Sequence, residues 1–265
     1  MTPRVALSIA GSDSGGGAGI QADMRTFAAL GVFGTTAVTC VTAQNTTGVR
    51  AVHVLPPGMV AEQVAAVLDD LPVAAAKTGM LGTEAMVKEV AALAERLPAL
   101  VVDPVLVASS GAALTDGSTL GAYRTELFPL ATVVTPNLLE AAALLGEDLG
   151  SLADARRAAR RLGELAPIVV VKGGHLDDPD RSVDVIWDGS DLWEIDRPRV
   201  RTRNTHGSGC SFSAAIAANL ALGLGVRAAL EQANSFVHAA LAGGAGWHLG
   251  AGPGPLDHFG WKEDV

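Results

Sequence analysis

Short apolar runs recur along this chain, at residues 5–10, 73–76, 99–102, 131–134 and 168–171, and each stops at a polar or glycine-rich turn. Runs of this length, apolar at successive positions rather than at every second one, suit strands covered on both faces of a parallel sheet. Between them the apolar spacing becomes helical, over about residues 20–30, 59–71, 83–97, a segment ending near 127, 153–165, 211–222 and 226–243. A second strand is expected over about 35–41 and another over 49–55, while 184–187 and 192–195 read as a hairpin joined at Asp188-Gly189-Ser190, an antiparallel edge. No linker, repeat or shift in composition interrupts the alternation. The expectation is one α/β domain over residues 1–265, with a mostly parallel central sheet and helices on both faces.

In such sheets the ligand crevice lies beyond the carboxyl ends of the strands, so the residues there carry the functional argument. Asp103 follows the run at 99–102 and is placed to hold Mg²⁺ through water, with a helix cap as the competing role. Thr135-Pro136-Asn137 follows the run at 131–134; proline suits a first helical turn, and Asn137 and Glu140, three apart, share a helix face. Lys172, with Gly173 and Gly174 behind it, suits a polyphosphate. Lysine is scarce here (Lys77, Lys88, Lys172 and Lys262 among nineteen basic residues), so a lysine inside a motif is informative.

The sharpest chemical signal is Asn204-Thr205-His206-Gly207-Ser208-Gly209-Cys210, a glycine turn feeding an alanine-rich helix pattern that starts at Cys210. A helix start exposes N–H groups without intrahelical acceptors, its dipole adds positive potential, and glycine permits close approach. Gly207, Ser208 and Gly209 therefore form a candidate anion hole for a transferring phosphoryl group, and Cys210, in the first turn, is expected to lean toward thiolate. A tight turn with a buried cysteine is the competing reading.

Other features restrict the alternatives. Gly17-x-Gly19-x-x-Ala22 fits a dinucleotide fingerprint, but the next strand ends Thr39-Cys40-Val41-Thr42 without the acid that holds a ribose. That loop, with Asp13 and Asp23 as its acids, suits a small substrate better. Gln44, in a polar stretch between apolar segments, offers an amide donor and acceptor side by side for a heterocycle edge, or for a turn. No GxxxxGK[ST] motif is present. A net charge of −9 argues against nucleic acid, and Cys40 and Cys210 lack metal-ligand spacing, so zinc is not expected. The first apolar run is too short for a signal peptide and no run approaches a membrane span, which leads to the expectation of a cytoplasmic protein with reduced thiols.

The segments 11–23, 42–46, 77–81, 103–105, 135–137, 172–175 and 204–210, in that order, resemble the hydroxymethylpyrimidine/phosphomethylpyrimidine kinases of thiamine biosynthesis, a ribokinase-like family. The resemblance implies ATP-dependent phosphorylation of 4-amino-5-hydroxymethyl-2-methylpyrimidine and then of its monophosphate, with Mg²⁺. It implies that Gln44 reads the aminopyrimidine edge, that Gly11, Asp23 and Met80 line the pyrimidine pocket, and that Asp103 and Glu140 hold Mg²⁺ through water. Asn137, Lys172 and Thr205 would serve ATP, and Cys210 would stand where sugar kinases of the superfamily place an aspartate base. A homodimer is the expected assembly. Ser208 replaces the family's usual threonine, and residues 253–259 depart from its pattern at two positions. The competing functions are a pyridoxal kinase of the same superfamily, a cysteine hydrolase using Cys210 with His206, and a pyrimidine sensor without catalysis.

Overall fold

The computed structural model describes residues 2–106 and 117–261; Lys262 falls outside them. Nine strands among the described residues form one sheet: β1 (Val5–Asp13), β2 (Phe33–Asn45), β3 (Gly48–Val54), β4 (Val73–Thr78), β5 (Leu100–Val102), β6 (Val133–Val134), β7 (Val169–Val171), β8 (Arg181–Trp187) and β9 (Leu192–Pro198). Their spatial order is β3-β2-β1-β4-β5-β6-β7-β8-β9. Neighbours from β2 through β7 pair in parallel, whereas β3 and the β8–β9 hairpin pair antiparallel at the two edges.

Eight α-helices are described: α1 (Gly19–Ala29), α2 (Pro57–Asp70), α3 (Glu84–Ala92), α4 (Gly117–Ala122), α5 (Leu138–Leu145), α6 (Leu152–Leu162), α7 (Ser208–Ala221) and α8 (Val226–Gly243). The strands sort their side chains by parity. Leu7, Ile9, Leu100, Val102, Val169 and Val171 join the apolar layer under α2 to α6. Ala6, Ala75, Val101, Val133 and Val170 meet α1, α7 and α8 on the other face. Alternation of this kind follows from the two-residue period of a strand, and it explains why both neighbours in each run had to be apolar. No described helix is long and apolar enough to cross a membrane.

Three differences from the sequence reading bear on the site. β2 runs on to Asn45, so Gln44 is a strand residue paired with Val49 rather than part of a loop. The β3 edge supplies ladder partners that a polar composition could not announce. Pro136 lies outside its helix, because Asn137 is the N-cap of α5 and forms a reciprocal capping box with Glu140. Helix α7 begins at Ser208, not at Ser211, because Gly207 takes the left-handed conformation (φ 86°) and turns the chain into the helix at once.

The chain reverses its direction of growth at β1, whose neighbours are β2 on one side and β4 on the other. The loops after β1 and β4, residues 14–18 and 79–83, therefore open the crevice expected at such a switch point.

Candidate active site

A cavity of about 530 Å³ runs along the carboxyl ends of the parallel strands. Of the residues singled out from the sequence, Gly11, Gln44, Met80, Asp103, Asn137, Glu140, Lys172, Thr205, Gly207, Ser208, Gly209 and Cys210 all line it. Asp23 does not. It lies one layer deeper on α1, fully buried, where its carboxylate meets Lys77 Nζ at 2.9 and 3.0 Å and accepts from Ser8 Oγ at 2.6 Å. Lys77, equally buried, does line the cavity. Burial opposes its charge, but Asp23 above all, with Asp103, more than offsets that and holds the ammonium protonated.

The turn before α7 sits directly on the charged groups. A methyl group added at Gly209 would meet Lys172 Nζ at 3.2 Å and Asp103 Oδ2 at 3.8 Å. Gly207 cannot carry one, since its Cβ would fall 1.9 Å from the Gly17 carbonyl oxygen. Ser208 donates its amide to Thr205 O at 3.1 Å, closing the turn. The amides of Gly209 and Cys210 follow in the first helical turn, ahead of the point where intrahelical acceptors begin. The open donors are thus displaced by one residue from the set expected.

Lys172 Nζ donates to Asp103 Oδ1 at 2.8 Å and lies 3.9 Å from Glu140 Oε2. Asp103 is also approached at 3.3 Å by Thr135 Oγ1 and Ser213 Oγ. Glu140 Oε2 accepts from the Asn137 amide at 2.7 Å. Burial pushes Glu140 up to about 7, against the pull of Lys172 and with the help of Asp103. Two buried carboxylates around one ammonium leave the corner short of positive charge. Hard oxygen donors in that state fit a magnesium ion arriving with nucleotide phosphates, which needs only one or two carboxylates from the protein. Among the described residues no group of three or more His, Cys, Asp or Glu makes a metal site by itself.

Cys210 corrects an expectation. Burial pushes the thiol up to about 11, with Lys77 opposing and Asp23 and Asp103 assisting that rise. At neutral pH Cys210 is a thiol.

At the other end of the cavity the glycine loop after β1 is organised by Asp13. Its carboxylate accepts from the amides of Gly15, Gly17 and Ala18 at 2.8, 3.1 and 2.9 Å, and His206 Nε2 lies 2.9 Å from Oδ2. Burial works against the ionised form, but His206 and these amides prevail and lower the Asp13 pKa. Gln44 Oε1 accepts from Thr42 Oγ1 at 3.1 Å, and its Nε2 stands 3.4 Å from His206 Nε2. Orientation of His206 toward Asp13 disfavours the hydrolase reading, in which it would serve Cys210. Met80 and Gly11 meet Cys40: Sγ lies 3.8 Å from Met80 Sδ, and a Cβ at Gly11 would come within 2.6 Å of it.

The model of the phosphomethylpyrimidine kinase family matches residues 13–257 of the chain. This chain belongs to that family. The hydroxymethylpyrimidine/phosphomethylpyrimidine kinase of Synechococcus elongatus is 48% identical over 261 residues, 98% of both chains. The chloroplastic thiamine biosynthetic bifunctional enzyme of Arabidopsis thaliana is 47% identical over 97% of this chain, which spans only 51% of that enzyme's length. Among solved structures, an ADP complex of Bacillus subtilis pyridoxal kinase superposes with a TM-score of 0.88 at 38% identity, over 97% of this chain and 98% of that one. The ribokinase-like architecture expected from the sequence is the one observed.

Several residues of this family member's site escaped the sequence reading. Lys77 was conspicuous as one of few lysines, but nothing in the pattern paired it with Asp23. Asp13 and His206 were noticed separately, 193 positions apart. Thr135 stands in a motif segment but with no role of its own, and Ser213 gives no signal at all; only their approach to Asp103 distinguishes these hydroxyls.

Proposed function

We propose that this chain transfers the γ-phosphoryl group of ATP to 4-amino-5-hydroxymethyl-2-methylpyrimidine and then to its monophosphate, as a step in thiamine biosynthesis. The observation that carries the reading is the convergence at Gly209 of first-turn amides, the Lys172 ammonium and the Asp103 carboxylate. Phosphoryl transfer asks for little covalent chemistry from a protein and mostly for positioning and charge stabilisation. Membership of the family and nucleotide use by the similarly folded pyridoxal kinase support the same assignment.

In this reading Gln44 reads the aminopyrimidine edge, with its amide held by Thr42 and set beside His206. Gly11 and Met80 form the wall behind the ring, and Asp23 acts on the pocket through Lys77. The Gly209 and Cys210 amides and Lys172 take the negative charge that spreads over the transferring group. Asn137 and Thr205 flank the polyphosphate. Asp103 and Glu140 would hold Mg²⁺, which neutralises phosphate charge when bound. Cys210, a thiol at rest, orients the hydroxymethyl oxygen; a loose transition state lets the hydroxyl proton leave late and asks little of a base. Residues 1–265 act as one kinase domain, in a homodimer whose mass light scattering would check.

Incubation with ATP, Mg²⁺ and the pyrimidine alcohol, followed by mass spectrometry, tests the assignment. The expected products are the mono- and diphosphate with ADP. Turnover of pyridoxal alone would transfer the assignment to a pyridoxal kinase, the activity of the similarly folded Bacillus subtilis protein. ADP release from neither substrate would refute both.

A further inference from the structure

The turn that opens α7 is held from outside by the C-terminal part of the chain. Asn204 Nδ2 donates to Gly244 O and Trp247 O, both at 2.8 Å, and Asn204 Oδ1 accepts from the Gly254 amide at 3.0 Å. The His206 amide donates to Gly254 O at 3.0 Å, and His206 forms a parallel bridge with Pro255. Beyond the catalytic residues, Ser211 Oγ lies 2.8 Å from His258 Nε2, with both residues buried. The stretch from Asn204 to Ser211, which carries Cys210, is therefore tied at both ends to one segment, Gly244 to His258.

That segment also touches the pyrimidine end of the cavity. The Gly252 amide donates to Thr46 Oγ1 at 3.2 Å, and a Cβ at Gly252 would fall 1.7 Å from Thr46 O, so it packs flush on the hairpin that carries Gln44. His258 is itself fixed by ring contact with Phe236 on α8 (centroids 6.3 Å apart). Burial and the nearby Arg25 charge keep its imidazole neutral, so its bond to Ser211 does not alternate with protonation at physiological pH.

We propose that His258 is a positioning residue for phosphoryl transfer: through Ser211 it sets the direction of the Gly209 and Cys210 amides and of the Cys210 thiol, with residues 244–258 as the strap that holds it. Ser211 is the residue after Cys210, and its amide closes the first helical turn on Gly207 O at 2.8 Å, so a residue held by His258 on one side holds that turn on the other. Misplacement of a reacting group by about 1 Å costs on the order of a hundredfold in rate. The inference rests on the kinase reading for its catalytic meaning, but the geometry it claims has a readout that needs no substrate.

The test uses the full chain with His258→Ala, His258→Gln, Ser211→Ala and the double variant Ser211→Ala/His258→Ala. Steady-state kinetics on the pyrimidine are measured beside the rate at which iodoacetamide alkylates Cys210, read on the Cys210 peptide by mass spectrometry. Ser211→Ala removes one hydroxyl and examines the same bond should His258→Ala not fold. The expected result is a fall in kcat of about tenfold or more in each single alanine variant, with KM for the pyrimidine within about twofold of wild type. The double variant falls no further than the worse single one, because one bond is lost in all three. His258→Gln, whose amide can reach the Ser211 hydroxyl, recovers most of the rate, and the alkylation rate shifts severalfold in the alanine variants only. Folded alanine variants with wild-type kcat and alkylation, fully multiplicative losses in the double variant, or a glutamine variant as slow as alanine would each overturn the proposal. A wild type without turnover whose variants still shift alkylation would count against the kinase reading alone.

Discussion

Replacing Lys77 by methionine should separate charge from packing in the layer beneath Cys210. Lys77 and Asp23 are both fully buried, with two contacts of 2.9 and 3.0 Å between them. Burial raises the Asp23 pKa, and Lys77 is the largest opposing influence, followed by Ser8. Lys77→Met keeps most of the side-chain volume and removes the charge, so the carboxylate is left buried beside one hydroxyl. Breaking a buried pair in this way costs about 3–5 kcal/mol, whereas neutralising both partners is often close to neutral. For a chain of this size each kcal/mol moves Tm by about 2–4 °C, which gives a fall of about 10 °C for Lys77→Met. Most of it should return in Lys77→Met/Asp23→Asn, where asparagine still accepts from Ser8. The pH dependence has a definite sign. Without Lys77 the folded-state pKa of Asp23 rises well above its unfolded value, so the folded protein binds more protons and loses stability as pH rises between the two values. The penalty should therefore be larger at pH 8 than at pH 5. Urea denaturation at both pH values measures it. A loss below about 1 kcal/mol at pH 8, or an equal loss at pH 5, would refute the argument that desolvation governs this pair.

Other expectations follow from the same geometry. Gly207→Ala, at φ 86° and 1.9 Å from the Gly17 carbonyl, should abolish most turnover by driving the turn off the glycine loop, and ADP release against a thermal-shift control checks it. Cys210→Ala should lower kcat by about tenfold or more while calorimetry finds pyrimidine binding nearly unchanged; lost binding with intact kcat would contradict a role at the reacting oxygen. Gln44→Ala should chiefly raise KM for the pyrimidine, and an unaltered KM would remove Gln44 from the pocket. His258, whose pKa burial lowers to about 4, favours the folded state when neutral. Its contribution is fully present above pH 6.5 and lost as pH falls toward 4, so the Tm difference between wild type and His258→Gln should shrink over that interval.

How much of this was legible beforehand differs from residue to residue. The runs at 99–102 and 168–171 announced buried parallel strands because both of their faces are covered, and Asp103 and Lys172 followed as crevice residues from the geometry of such sheets. The glycine turn before Cys210 likewise marked a candidate anion site, since conformational freedom and unpaired amides are local properties. Cys210's protonation was misjudged for the complementary reason. Position on a helix is local, but desolvation depends on what the rest of the chain places around the sulfur, and here burial raises the thiol pKa against the pull of Lys77. Asp23 gives the same contrast. Its loop was visible, yet its partner Lys77 lies 54 residues away on β4, so the carboxylate of this α1 residue faces a lysine in the core rather than the cavity. The linear order of residues thus determined which elements form and which turns expose amides, because hydrophobic period and backbone freedom act over a few residues. Only the folded chain decided which charges meet, which side chain loses its water, and that the last segment returns to hold the turn, because those outcomes depend on separations in space that the linear order does not record.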